Sequence, residues 1–133
     1  MSRVKAYVLM LSSTLTIATV DDDRRVRESV QSVLESAGYD APTFESAEAF
    51  LESGALARVR CVIADVRLPG MDGPELQRRI RRERHRLPVI LITAHDDDDV
   101  REQALRDGAV AFLVKPFDAG DLLDHIARAT NDS

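Results

Sequence analysis

The sequence predicts an α/β fold, a doubly wound parallel sheet of five strands in (βα)5 order. Two observations carry that expectation. Five short apolar runs alternate with five amphipathic stretches. The runs are continuously apolar, as in strands covered on both faces, rather than alternating as in half-solvated ones. A length of 133 residues sets the scale at about one domain. With 44% hydrophobic and 31% charged residues the chain is not a disordered low-complexity segment. Aromatics are 5% and Trp is absent, so the core must be aliphatic.

The elements follow in order. Thr16–Val20 is a buried strand stopped by Asp21-Asp22-Asp23. Val26, Val30, Val33, Leu34 and Ala37 recur at helical spacing, and Gly38 closes that helix. Tyr39–Phe44 contains Pro42 and reads as a weak strand near an edge. Ser46 caps a short helix carrying Ala49, Phe50 and Leu51, which ends at Gly54. Cys61–Ala64 is the third strand. Pro74 opens a helix to Arg84, with Leu76 and Ile80 inward and a basic face outward. Pro88–Ile92 is the fourth strand. The fourth helix, Asp97–Asp107, turns Val100, Ala104 and Leu105 inward and stops at Gly108. Ala109–Val114 is the fifth strand, and Asp118–Thr130 is the last helix, packed through Leu122, Leu123 and Ile126.

Composition excludes several function classes. A formal charge of −5 argues against direct nucleic-acid binding by this chain, which needs a concentrated basic face. The single cysteine, Cys61, forms no internal disulfide, and a reducing cytoplasmic setting fits it. No segment is long and apolar enough to span a bilayer. Residues 1–14 begin faintly like a signal peptide, with Arg3 and Lys5 before a short apolar run. They lack a clean cleavage site and read instead as a flexible N-terminal extension before a domain at 15–131. The sequence shows no second domain within its 133 residues.

In an open parallel sheet, function gathers at the carboxyl ends of the strands. There the first strand delivers Asp21, Asp22 and Asp23, the third Asp65, the fourth Thr93, and the fifth Lys115 followed by Pro116. Clustered carboxylates repel one another unless a cation joins them. Mg²⁺ suits such a cluster, since it takes oxygen ligands and shares its sphere with phosphate. With the metal and Lys115 neutralising charge, a carboxylate can attack a phosphoryl donor to form an aspartyl-phosphate.

Four pieces, Val20-Asp-Asp-Asp23, Val62-Ile-Ala-Asp-Val-Arg-Leu-Pro-Gly-Met-Asp-Gly73, Ile92-Thr-Ala-His95 and Val114-Lys-Pro-Phe117, resemble the receiver domain of two-component response regulators. Arg27-Glu-Ser-Val30 and the closing Lys-Pro-Phe look closest to the FixJ-like branch. The resemblance spans about residues 15 to 130. It implies a flavodoxin-like sheet of strand order 2-1-3-4-5 and phosphorelay signalling with a sensor histidine kinase or histidine phosphotransfer protein. It implies Asp65 as phosphoacceptor and a Mg²⁺ (or Mn²⁺) site made by Asp21, Asp22, Asp65 and the backbone carbonyl of Arg67. Thr93 and Phe112 correspond to the switch residues, Lys115 to the site ammonium, and Lys115–Pro116 to a cis bond. Arg67 and His95 occupy positions that set the dephosphorylation rate. Phosphorylation is expected to act through the face of helix four, strand five and helix five, presenting some combination of Val100, Arg101, Ala109, Val110 and Asp121, with a homodimer as one outcome.

The same residues allow other readings. An Mg²⁺-dependent phosphohydrolase working through an aspartyl-phosphate usually carries a second Asp two residues after the nucleophile. Here that residue is Arg67. A docking module independent of phosphorylation would not need the acidic pair, Thr93 and Lys115. Asp96–Asp99 lacks the ligand spacing of a calcium loop and reads as a helix cap. The arginines at 78, 79, 81, 82, 84 and 86 read as a solvated face, and Phe112 reads equally as switch or core.

Overall fold

The computed structural model describes residues 14–131. Of the N-terminal extension expected at 1–14, all but Thr14 lies outside the described residues. Strand β1 (Ile17–Val20) leads to α1 (Arg24–Ser36), β2 (Thr43–Phe44), α2 (Ala47–Glu52) and a single 3₁₀ turn at Ala55–Ala57. Then follow β3 (Cys61–Asp65), α3 (Gly73–Glu83), β4 (Val89–Thr93), α4 (Asp98–Arg106), β5 (Ala111–Val114) and α5 (Ala119–Asn131). The strands form one parallel sheet in the order β2-β1-β3-β4-β5.

Every residue of β1, β3 and β4 is buried, as continuous apolar runs require. Alternate side chains feed two cores. Val62, Ala64 and Leu91 join Phe50, Leu76, Ile80 and Ala104 under α2, α3 and α4. Ile63, Ile90 and Ile92 join Val30, Leu34, Leu122 and Ile126 under α1 and α5. Each fully buried Leu or Ile contributes roughly 1.5–3 kcal/mol over its exposed state. The weak second strand is an edge, and its brevity has a local cause. Pro42 accepts from the Thr19 amide but has no N–H to return, so the ladder beside β1 resumes only at Thr43.

Each helix starts just past a strand or loop at a side-chain cap. Asp23 accepts from Arg25, Ser46 from Ala49, Asp72 from Glu75, and Asp97 from both Asp99 and Val100. Asp118 accepts from the amides of Gly120 and Asp121. Asp96–Asp99 therefore serves as a cap, as the sequence reading holds. Cys61 is buried, and burial pushes its thiol up to about 12, so it packs as an unreactive apolar residue.

Three expectations are corrected. Leu105 is 48% exposed rather than turned into the core, because the α4 stripe narrows to Ala104. Ala37 is exposed at the C-cap of α1, beyond the last buried turn. Ala109 is buried behind α4 and cannot belong to an outer contact face, although its neighbour Val110 is 42% exposed.

Candidate functional site

The parallel register lines up the carboxyl ends of β1, β3, β4 and β5, so the residues at and just beyond them converge at one edge. Asp21 comes directly after β1, Asp65 ends β3, and Lys115 comes directly after β5. Asp21 is fully buried and Asp65 is 7% exposed, whereas Asp22 faces solvent. Lys115 Nζ donates to Asp65 Oδ2 at 2.9 Å and to Asp21 Oδ2 at 3.0 Å. One ammonium therefore bridges two carboxylates that are distant in sequence.

The other oxygens of these carboxylates are held by the local turns. Asp21 Oδ1 accepts from the Asp23 amide at 2.9 Å, and Asp65 Oδ1 from the Arg67 amide at 3.0 Å. Arg27 Nη1 donates to the Asp21 carbonyl at 2.8 Å, so α1 braces the turn. Burial raises the Asp21 carboxyl above its ordinary value and the neighbouring Asp65 charge adds to that, against the lowering effect of the Asp23 amide and Lys115. For Lys115, burial acts to lower the value. The hydrogen bonds and charges of Asp65 and Asp21 outweigh it, and the ammonium is held above the ordinary lysine range.

Ligand oxygens of Asp21, Asp22 and Asp65 lie within 4.8 Å of one another. They are hard oxygen donors, and an oxygen-seeking divalent cation such as Mg²⁺ fits that set. Thr93 is 2% exposed at the end of β4, where its Oγ1 accepts from the His95 amide at 3.1 Å. The Lys115–Pro116 peptide is cis. The structure thus brings Asp21, Asp22, Asp65 and Lys115 together and sets Thr93 on the same edge, while the side chains of Arg67 and His95 reach solvent. Phe112 lies apart, half-buried in β5, with the Arg101 guanidinium 5.2 Å above its ring centroid.

Three contacts, two of them at this edge, are not legible in the sequence. They are the Arg27 brace, the Arg101 contact on Phe112, and Glu48 of α2, whose Oε2 accepts from the Met71 amide at 2.8 Å. Each joins residues that no local pattern connects. Gly73 had a legible signal in the Pro-Gly-Met-Asp-Gly turn. A Cβ there would fall on the Asp65 carbonyl oxygen and 2.8 Å from Val66 Cα, so only glycine lets α3 start against the end of β3.

Comparison with known proteins meets this geometry. Residues 17–127 match the family model of the response regulator receiver domain. The chain belongs to the response regulator receiver family. It is 39% identical over 113 residues to the transcriptional regulatory protein FixJ of Bradyrhizobium diazoefficiens, covering 85% of this chain and 55% of that protein. With the response regulator protein FleR of Pseudomonas aeruginosa it shares 43% identity over 112 residues, 84% of this chain and 24% of that protein. The crystal structure of a CheY-like receiver domain protein from Methanospirillum hungatei superposes with a TM-score of 0.83 at 27% identity, covering 90% of this chain and 96% of that one. The chain thus spans about half or less of these two relatives but nearly all of the solved receiver domain. As a receiver it is a phosphoacceptor module of two-component signalling, and neither the phosphohydrolase nor the phosphorylation-independent docking reading is favoured. Among the described residues, no helix is long and apolar enough to cross a membrane.

Proposed function

We propose that residues 15–131 act as a receiver switch in the cytoplasm, in which Asp65 takes a phosphoryl group from a sensor histidine kinase or a histidine phosphotransfer protein. The observation that carries this reading is the Lys115 bridge between Asp65 and Asp21, with the Asp22 carboxylate beside it. Asp21, Asp22, Asp65 and the Arg67 carbonyl would hold Mg²⁺. When bound, the ion supplies positive charge to the phosphoryl oxygens.

The chain's own residues do the rest. The Arg67 amide and Lys115 orient Asp65, and an Asp65 oxygen attacks phosphorus as the P–N bond to the donor imidazole breaks and the imidazole takes up a proton. Lys115 then shifts from bridging two carboxylates to binding a phosphoryl oxygen. The Thr93 hydroxyl, which among the described residues accepts from His95 N–H and donates to no partner, can donate its proton to the same group. That movement opens space towards Phe112, whose turn alters the α4, β5 and α5 face. Leu105 and Val110, the large apolar side chains most exposed there, make this face suited to a homodimer or another protein partner. Arg67 and His95 flank the route of water to the phosphoryl group and tune the lifetime of the acyl phosphate. Apart from its own phosphorylation and dephosphorylation, the chain catalyses nothing.

Incubation with acetyl phosphate and Mg²⁺ followed by intact-mass measurement tests the reading. One phosphoryl adduct is expected on the wild type and none on Asp65→Asn. An adduct that survives Asp65→Asn contradicts it.

A further inference from the structure

The segment between β3 and α3 begins at Asp65 and carries Arg67. Its two ends are tied within the segment itself, by the Arg67 amide on Asp65 Oδ1 and by the Gly73 amide on the Val66 carbonyl, each at 3.0 Å. Its middle is tied from outside. The Met71 amide donates to Glu48 Oε2 at 2.8 Å across 23 residues of sequence. Gly70 sits against the same carboxylate: it has a φ of +72°, and a Cβ there would fall on Glu48 Oε2. Glu48 itself rides on α2, which Ala47 and Phe50, both fully buried, and the Ser46 cap fix to the core.

The second Glu48 oxygen, Oε1, is buried with no partner among the described residues. Holding a desolvated carboxylate oxygen unpaired is costly. The Glu48 carboxylate is therefore oriented by a charge-assisted bond from one particular amide. The Met71 amide also holds the Glu48 carboxyl below its ordinary range, so the bond persists through neutral pH.

We propose that Glu48 is a positioning residue for the cation site: by pinning Met71 to α2 it fixes the course of the loop that presents the Arg67 carbonyl. The inference rests on the reading of Asp65 and its neighbours as a Mg²⁺ site. A plainer account exists, since Glu48 stands in the first turn of α2, where any negative charge favours the helix dipole. The two accounts differ at glutamine. Glu48→Gln keeps an acceptor for Met71 and loses the charge, whereas Glu48→Ala loses both.

The test uses the full chain with Mg²⁺ alone as probe. Amide hydrogen exchange of Met71 is measured without metal, and Mg²⁺ affinity is measured by titration of amide chemical shifts. For Glu48→Ala the expected result is lost protection at Met71 and a Mg²⁺ Kd raised about tenfold, as for loss of an outer-sphere partner. Glu48→Gln restores both towards wild type. Should Glu48→Ala fold poorly, Glu48→Asp keeps the first-turn charge but is one methylene too short to hold Met71, and the same losses are expected. Unchanged Met71 exchange and Mg²⁺ affinity in Glu48→Ala, or a Glu48→Gln variant as impaired as Glu48→Ala, overturns the proposal while leaving the Mg²⁺ site intact. A wild-type chain that binds no Mg²⁺ overturns the underlying reading, and the proposal with it.

Discussion

At the carboxyl ends of the strands, Asp21 and Asp65 are almost wholly buried and share the Lys115 ammonium. In and just after α3, a denser run of charge behaves differently. Arg81, Arg82 and Arg86 are exposed, Arg79 pairs with Glu83 one turn away at 2.7 Å, and Arg84 spends its guanidinium on the Leu56 and Val59 carbonyls. The arginine run packs more charge into fewer residues, yet its side chains are solvated, paired at the surface or spent on backbone carbonyls. The acidic edge draws its members from three strands and takes them out of water. Convergence with burial, rather than density of charge along the chain, sets the candidate site apart.

The sharpest way to break this contrast is to remove the shared cation. Lys115→Met leaves two buried carboxylates unpaired and should cost about 2–4 kcal/mol in urea unfolding at neutral pH, part of it recovered by Mg²⁺. Arg82→Ala at the other end should cost less than about 0.5 kcal/mol. Similar losses in the two variants would erase the distinction. Next in size is Gly73→Ala, which sets a Cβ against the backbone of Asp65 and Val66. Overpacking of rigid backbone should lower stability by about 2 kcal/mol and weaken Mg²⁺ binding along with it.

Mg²⁺ itself should raise the Tm of the wild type in proportion to the logarithm of its concentration above the Kd. Asp22→Asn, at an exposed position, should fold as well as wild type without metal and lose that response. The smallest effect is the pH dependence. Lys115 is held above its ordinary value of 10.5, so its stabilising contribution is complete below that value and disappears as pH rises through the raised one. Asp21 is held above 3.8, so its contribution is the reverse of a paired carboxylate's, with stability declining as pH rises from 3.8 through the raised value. Urea midpoints of wild type and Lys115→Met should therefore converge above pH 10.5, and a gap that stays constant there would show that the ion bridge is not what Lys115 supplies.

Much of this was legible in the sequence because it depends on local rules. The apolar runs of β1, β3 and β4, the caps at Asp23, Ser46, Asp72 and Asp97, and the acidic, hydroxyl and ammonium residues at strand ends all follow from short-range patterns and parallel topology. Leu105 misled because helical spacing gives a face its phase and not its width, and in α4 the buried stripe is only as wide as Ala104. Glu48 was invisible for a different reason. Its role is a bond to an amide 23 residues away, and its own surroundings in sequence describe an ordinary first-turn glutamate. The contact of Arg101 with Phe112 shares that character, whereas that of Arg27 with the Asp21 carbonyl closes a single strand-to-helix turn and leaves no mark in the residue pattern.

The central claim is that the buried, Lys115-bridged edge is where phosphoryl chemistry occurs, and that Asp65 is the residue that carries it. The direct measurement is to phosphorylate the full chain with acetyl phosphate and Mg²⁺, reduce the acyl phosphate with borohydride, and map the modified residue by peptide mass spectrometry. Reduction converts a phosphorylated aspartate to homoserine and leaves the others unchanged. The account predicts homoserine at position 65, with Asp21 and Asp22 intact. Homoserine at 21 or 22, or at a carboxylate away from this edge, contradicts it.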